Sequence, residues 1–186
     1  MRPAYSLAGE LARFAPEVRV VPIAGVEIGR ATEADLHGIM ELQAANQPEH
    51  GGMLSASMSR TSVADMMRGR PLIVARRSGH IVAFLMNSTR EMNDDVPIIR
   101  AMLEAYPGTP DSYVYGPICV KEEERGKGLA QVMFTELRRL EPGREGILFI
   151  RRDNPASLRA HVKMGMREVA GFAFDGKDYV VLSYVG

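Results

Sequence analysis

Apolar residues recur along this chain at two spacings, and the switching between them outlines an alternation of strands and helices. Val26-Glu27-Ile28 opens a short strand. Thr32-Glu33-Ala34-Asp35 has the form of a helix start with acids in its first turn, and Leu36, Ile39, Met40 and Leu42 share one side of the helix that follows, which fades near Asn46-Gln47-Pro48. Residues 49–59, containing Gly51-Gly52-Met53-Leu54, read as a flexible connection, and Ser62 to Arg68 as a second short helix. Leu72 to Arg76 and Ile81 to Met86 flank Arg77-Ser78-Gly79-His80 and predict a β-hairpin. Asp94 to Ala105 reads as helix, with Pro97 at an early position where proline is tolerated.

Tyr113 to Val120 is a strand interrupted by Gly116-Pro117, a pair that marks a bulge or an edge and leaves backbone N–H groups unpaired. Ala130, Met133, Phe134, Leu137 and Leu140 keep helical spacing until Glu141-Pro142-Gly143, and Ile147 to Ile150 is a short buried-type strand. Asn154-Pro155 joins a favoured N-cap to proline at the first helical position, with Gly165 as the C-cap. Tyr179 to Tyr184 closes the chain as a strand. The order predicts one mixed α/β domain over residues 26–186, preceded by an extension, residues 1–25, whose Pro3, Pro16 and Pro22 disrupt periodicity and which packs loosely or pairs with a partner, leaving a homodimer open.

Composition narrows the function classes. Lys plus Arg and Asp plus Glu are both 23, so the zero net charge gives no support for nucleic acid or an anionic membrane as partner. Cys119 is the single cysteine and the N-terminus lacks the regions of a secretory signal, so a cytoplasmic location is expected. Neither the 12 methionines nor His37, His50, His80 and His161 show ligand spacing, and no metal is expected.

The chemistry concentrates in Glu124-Arg125-Gly126-Lys127-Gly128-Leu129-Ala130, which lies between a strand and an amphipathic helix. Its glycines let backbone N–H groups approach an anion, and the helix adds the positive end of its dipole. Three basic and three acidic residues between Lys121 and Gly128 cancel, so oriented amides must carry the affinity. A P-loop would need Ser or Thr directly after Lys127, and a dinucleotide fingerprint a third glycine in a parallel βαβ unit; neither pattern is present.

Val120 through Leu137 resembles the acyl-CoA-binding motif of the GNAT superfamily of acyl-CoA-dependent N-acyltransferases, whose pattern is Gln or Arg, two residues, Gly, one residue, Gly or Ala. Asn154 to Met166 is similar to the second family element, an asparagine-led helix ending in Gly and an aromatic residue. The resemblance implies a mixed, mostly antiparallel central sheet flanked by helices, with a splayed strand pair forming an acyl-CoA cleft. It implies acetyl-CoA as co-substrate, its diphosphate on the amides of Arg125, Gly126, Lys127, Gly128, Leu129 and Ala130. It places the pantetheine arm along Ile118, Cys119 and Val120, with Asn154 and Ser157 beside it.

The implied reaction is direct attack of an amine acceptor on the thioester, the oxyanion held by the Val120 backbone N–H. His161 stands where many relatives have a tyrosine that protonates the departing thiolate, and Met166 where an aromatic is usual. An imidazolium of pKa about 6.5 gives its proton downhill to a thiolate of about 8.5, so His161 is the candidate general acid. A nearby phosphate or carboxylate would raise its charged fraction. Cys119, a lone cysteine in a strand, reads as buried and inert, which favours direct transfer over an acyl-cysteine. Glu41 and Glu91 are carboxylates without an assigned place, and the acceptor wall is expected around Gly51 to Leu54 and Tyr113 or Tyr115. The replacement at His161 keeps a second reading open, a non-catalytic acyl-CoA-binding or sensing domain.

Overall fold

The computed structural model of the chain describes residues 23–54 and 57–186; residues 1–22 of the expected extension lie outside the described residues. Seven strands, β1 (Val26–Arg30), β2 (Ile73–Arg77), β3 (His80–Ser88), β4 (Tyr113–Val120), β5 (Glu145–Arg151), β6 (Arg167–Phe174) and β7 (Lys177–Val185), form one sheet in the order β1-β2-β3-β4-β5-β7-β6. Every neighbouring pair is antiparallel except β4 and β5. The helices are α1 (Leu36–Ala45), α2 (Arg60–Gly69), α3 (Pro97–Ala105), α4 (Leu129–Leu140) and α5 (Pro155–Lys163). The mostly antiparallel sheet with helices on both faces is the architecture that the sequence predicts.

Alternation along β2 shows how the layers are divided. Ile73 and Ala75 point to α4, where Met133, Phe134 and Leu137 of the stripe read from the sequence are buried together with Leu129, and Ala130 and Leu140 pack partly buried beside them, while Val74 points the other way to α1 and α2. There it meets Leu36, Ile39, Leu42, Val63 and Met66, with Phe84 and Met86 of β3. A third cluster fixes α3 through Met102 against Val114, Ile147 and Val181.

At the start of α1, Thr32 donates its amide to Asp35 at 2.7 Å. Asp35 also receives Nε and Nη2 of Arg76 at 2.8 and 2.6 Å, a pairing that holds its carboxyl down to about 2.

Two features differ from the sequence reading. Residues 167–174, to which it assigns no strand, form β6. The burial of β6 alternates only weakly because it is the sheet edge, but Asp175-Gly176 after it is a two-residue hairpin signal, realised with φ of 47° and 68°. The helix expected from Asp94 begins only at Pro97, since the residue before a proline disfavours helical geometry. Gly116-Pro117 does make a bulge, on an interior strand: Leu85 and Asn87 of β3 face Ile118 and Tyr115, so β4 carries one extra residue, with Gly116 at φ 100°.

Candidate functional site

The parallel pair β4 and β5 is joined only at Tyr113 with Gly146 and Val114 with Ile147; beyond the bulge the two strands part. A cavity of about 390 Å³ opens in that wedge, between the ends of β4 and β5, the first turn of α5 and the strap Gly51 to Leu54.

On β4 the direction of the amides follows from one bond. Lys121 N–H donates to Val82 on β3 at 2.8 Å, so by alternation Cys119 also faces β3, while the amides of Ile118 and Val120 face the wedge. Ile118 and Val120 are two of the three residues along which the resemblance implies a pantetheine arm. Cys119 lines the cavity but lies in a different position from its neighbours. Its backbone is in the ladder opposite Phe84, its side chain is packed with α1 and α2, and burial pushes its thiol up to about 12. No thiolate is on hand at neutral pH, which agrees with the inert reading.

After β4 the chain turns through Glu122–Glu124 into the glycine turn. Glu124, 8% exposed, accepts Nε and Nη2 of Arg77 at 2.8 and 2.9 Å and Lys127 Nζ at 3.3 Å, so the acid read as part of a cancelling charge cluster is a strut to β2. Gly126 and Gly128 take φ of 75° and 86°, a conformation that rarely admits other residues. Among the described residues, the N–H groups of Gly126, Lys127, Gly128, Leu129, Ala130 and Gln131 donate to no carbonyl or side chain, and Val132 is the first amide of α4 to do so, to Gly128 at 3.1 Å. Such a run of unclaimed donors at a helix start is an anion nest.

Arg125 links this nest to the cavity. Its Nε donates to the Val120 carbonyl at 3.2 Å and its Nη2 to Asn46 Oδ1 at 2.9 Å. Asn46 in turn holds the strap, accepting the Leu54 amide at 3.1 Å, and a Cβ on Gly52 would stand 1.9 Å from the same carbonyl oxygen, so that position admits only glycine.

Asn154 caps α5, its Oδ1 accepting the Ser157 amide at 3.1 Å, and both residues line the cavity. One turn on, His161 is 4% exposed. Its Nδ1 lies 2.8 Å from the Ser157 carbonyl, which can only accept, so Nδ1 carries the proton and Nε2 is a bare acceptor. Nε2 is buried with no hydrogen-bond partner, and so is the hydroxyl of Tyr115, whose ring stands edge-on to the imidazole at 5.7 Å. Burial lowers the His161 pKa, only partly offset by the Ser157 carbonyl. Among the described residues no carboxylate is paired with the ring, and burial favours neutral imidazole with Nε2 unprotonated. Burial raises the Tyr115 hydroxyl far above its ordinary value, so it stays a neutral donor.

The cavity thus gathers Ile118, Cys119, Val120, Arg125, Asn154, Ser157 and His161, with Gly126 to Ala130 next to Arg125 but outside the cavity wall. Of the two tyrosines, Tyr115 lines it. Tyr113 does not; it is 0% exposed, packed edge-on against Tyr184, with Arg70 and Arg144 beside its ring. Glu41 pairs with His37 in solvent, 3.3 Å away, and Glu91 lies outside the cavity lining. Lining residues that the sequence reading misses include Asn46, Met58, Ser88, Asn93, Ile99, Phe149 and Arg151. Phe149 and Arg151 alternate along β5, and the others come from separate elements with no common spacing that could have shown them. Among the described residues, no cluster of three His, Cys, Asp or Glu is placed to hold a metal ion, and no helix is long and apolar enough to cross a membrane.

Solved structures share this fold. A GNAT-family acetyltransferase from Streptococcus agalactiae superposes with a TM-score of 0.67 at 16% identity, over 89% of this chain and 98% of that one. The ribosomal-protein-alanine N-acetyltransferase of Brucella melitensis gives 0.62 at 19% identity, over 86% and 99%. The yncA protein of Salmonella typhimurium, solved with its cofactor acetyl-CoA, gives 0.63 at 17% identity, over 86% and 93%. No protein-family model and no curated protein matches the sequence. At such identities the likeness is one of fold: the chain has the fold of the GNAT acetyltransferases.

Proposed function

We propose that the protein is an N-acetyltransferase that moves an acetyl group from acetyl-CoA to an amine by direct attack. The observation that carries this reading is the unclaimed amide run Gly126 to Gln131, continuous through Arg125 with a wedge whose wall offers the Ile118 and Val120 amides. The nest suits a diphosphate, the open edge of β4 suits an extended amide-bearing arm, and the end of the wedge brings an electrophile to His161. The fold shared with an acetyl-CoA-containing neighbour supports the same assignment.

In this scheme acetyl-CoA is a substrate and the residues divide the work. The nest and the α4 dipole hold the diphosphate. Val120 N–H donates to the carbonyl oxygen as it becomes an oxyanion, a contribution of about 3 kcal/mol for one well-placed donor. The amine nitrogen forms its bond to the carbonyl carbon and turns acidic, and His161 Nε2 takes its proton. The C–S bond then breaks and Nε2 returns that proton to the sulfur. His161 keeps the role of final acid, but as a shuttle that must first be loaded.

Calorimetry with acetyl-CoA, alongside thiol release over a broad amine panel, tests the proposal. Binding with release for at least one amine, undiminished in Cys119→Ala, is expected. Binding with no release for any amine would replace it with the acyl-CoA sensor, the reading that the histidine at position 161 keeps open.

A further inference from the structure

The side-chain lining of the cavity has a chemistry of its own. It includes Met53, Leu54, Met58, Ile99 and Phe149, and Met53 is 47% exposed. The polar groups among them are uncharged. Asn93 donates Nδ2 to Ser88 Oγ at 2.8 Å and to the Thr89 carbonyl at 2.6 Å, which leaves its Oδ1 as an acceptor, and both side chains are buried. Tyr115 and His161 line the same cavity, and the Tyr115 hydroxyl and His161 Nε2 are buried without a hydrogen-bond partner.

Among the described residues, the lining of the cavity as a whole has no Asp or Glu, and its two charged side chains are guanidinium. Arg125, from the turn after β4, is held by the neutral Asn46 Oδ1 and Val120 carbonyl, and Arg151, from β5, is paired with Asp153. A cation entering here meets apolar side chains and, among the described residues, no carboxylate in the lining, so the water it loses is not replaced by an opposite charge.

On the acyl-transfer reading, we infer that the acceptor is an amine uncharged at neutral pH and carried on a flat apolar body, the aromatic-amine class, in place of an alkylammonium. A lysine-like amine of pKa about 10.4 is neutral in roughly one molecule in 2,500 at pH 7, and this wall supplies a single neutral imidazole to strip the proton. An aromatic amine needs no such step. Its lone pair attacks directly, one N–H points to Asn93 Oδ1, and the proton released on N–C bond formation passes through His161 Nε2 to the departing sulfur, so the acetyl carbon exchanges sulfur for nitrogen and no other reactant is needed.

The test is thiol release from acetyl-CoA at pH 7 with ring amines and with alkyl amines and polyamines of matched size, repeated at pH 9.5. Ring amines are expected to lead by at least tenfold in kcat/KM at pH 7, with the gap narrowing at pH 9.5 as the alkyl amines lose their charge. Met53→Glu, at this exposed lining position, is expected to improve the polyamines alone. Polyamines or lysine-like amines ahead at pH 7 would overturn the inference and leave the transfer reading standing. Acetyl-CoA binding with no release for any amine would overturn both.

Discussion

His161 is the side chain on which the chemistry turns, and its environment sets the sign of its pH dependence. Burial lowers its pKa from 6.5, so the imidazole gains its second proton only at pH values below that. The shuttle needs Nε2 bare at the start of each turnover. Turnover should therefore be flat in this group above about pH 7 and fall as the pH drops below 6.5, the reverse of what a resting imidazolium acid would give. The same shift acts on stability: the unfolded chain takes up the proton near pH 6.5 and the folded one does not, so stability falls as pH decreases below that value. His161→Phe keeps the apolar packing against Tyr115 and should lower kcat about 100-fold with the acetyl-CoA affinity changed less than threefold. Full turnover in that variant across neutral pH would remove His161 from the reaction.

Among the elements, the glycine turn shows which structural requirements are legible in a sequence. Gly126 and Gly128 are there for φ and not for room: nothing lies within 4 Å of a Cβ built on either. Gly128→Ala should cost about 1 kcal/mol of stability through backbone strain and weaken acetyl-CoA about tenfold by turning the nest amides, as measured by calorimetry. Backbone requirements of this kind leave a mark in the sequence because one residue type meets them. The same holds for Asn154-Pro155 and for the bulge at Gly116-Pro117. The strap is different. Gly52 is dictated by the Asn46 carbonyl 1.9 Å away, a contact between residues whose spacing follows no repeating period, and the sequence shows only a glycine pair in a connection. Gly52→Ala should displace the strap and raise the acceptor KM several-fold while leaving acetyl-CoA affinity unchanged. Phe149 and Ile99 were invisible as wall residues for a related reason: their apolar character serves core and cavity equally. β6 was lost because an exposed edge strand alternates weakly, although the Asp175-Gly176 turn beside it was readable.

At the level of the whole molecule, the sheet consists of two antiparallel halves, β1 to β4 and β5 to β7, joined along β4 and β5 by two residue pairs. α4 covers the seam from one face, with Met133, Phe134 and Leu137 packed in the cluster that also holds Leu85 on β3 and Leu148 on β5, and α3 covers it from the other. A ligand lying in the wedge and anchored on the nest would contact β4, the start of α4 and the start of α5 together, and so would couple halves that the backbone joins weakly. It binds the folded chain alone, so acetyl-CoA at 100 times its dissociation constant should add about 2.7 kcal/mol. For a chain of this length that raises the melting temperature by about 5–10 °C. The gain should also be localised. Hydrogen exchange should slow at the Ile118 and Val120 amides and across Gly126 to Gln131, where donors now have no partner in the described chain, while β6 at the far edge should exchange as before. Protection spread evenly over the sheet, or confined to the acceptor strap, would place the ligand elsewhere than in the wedge.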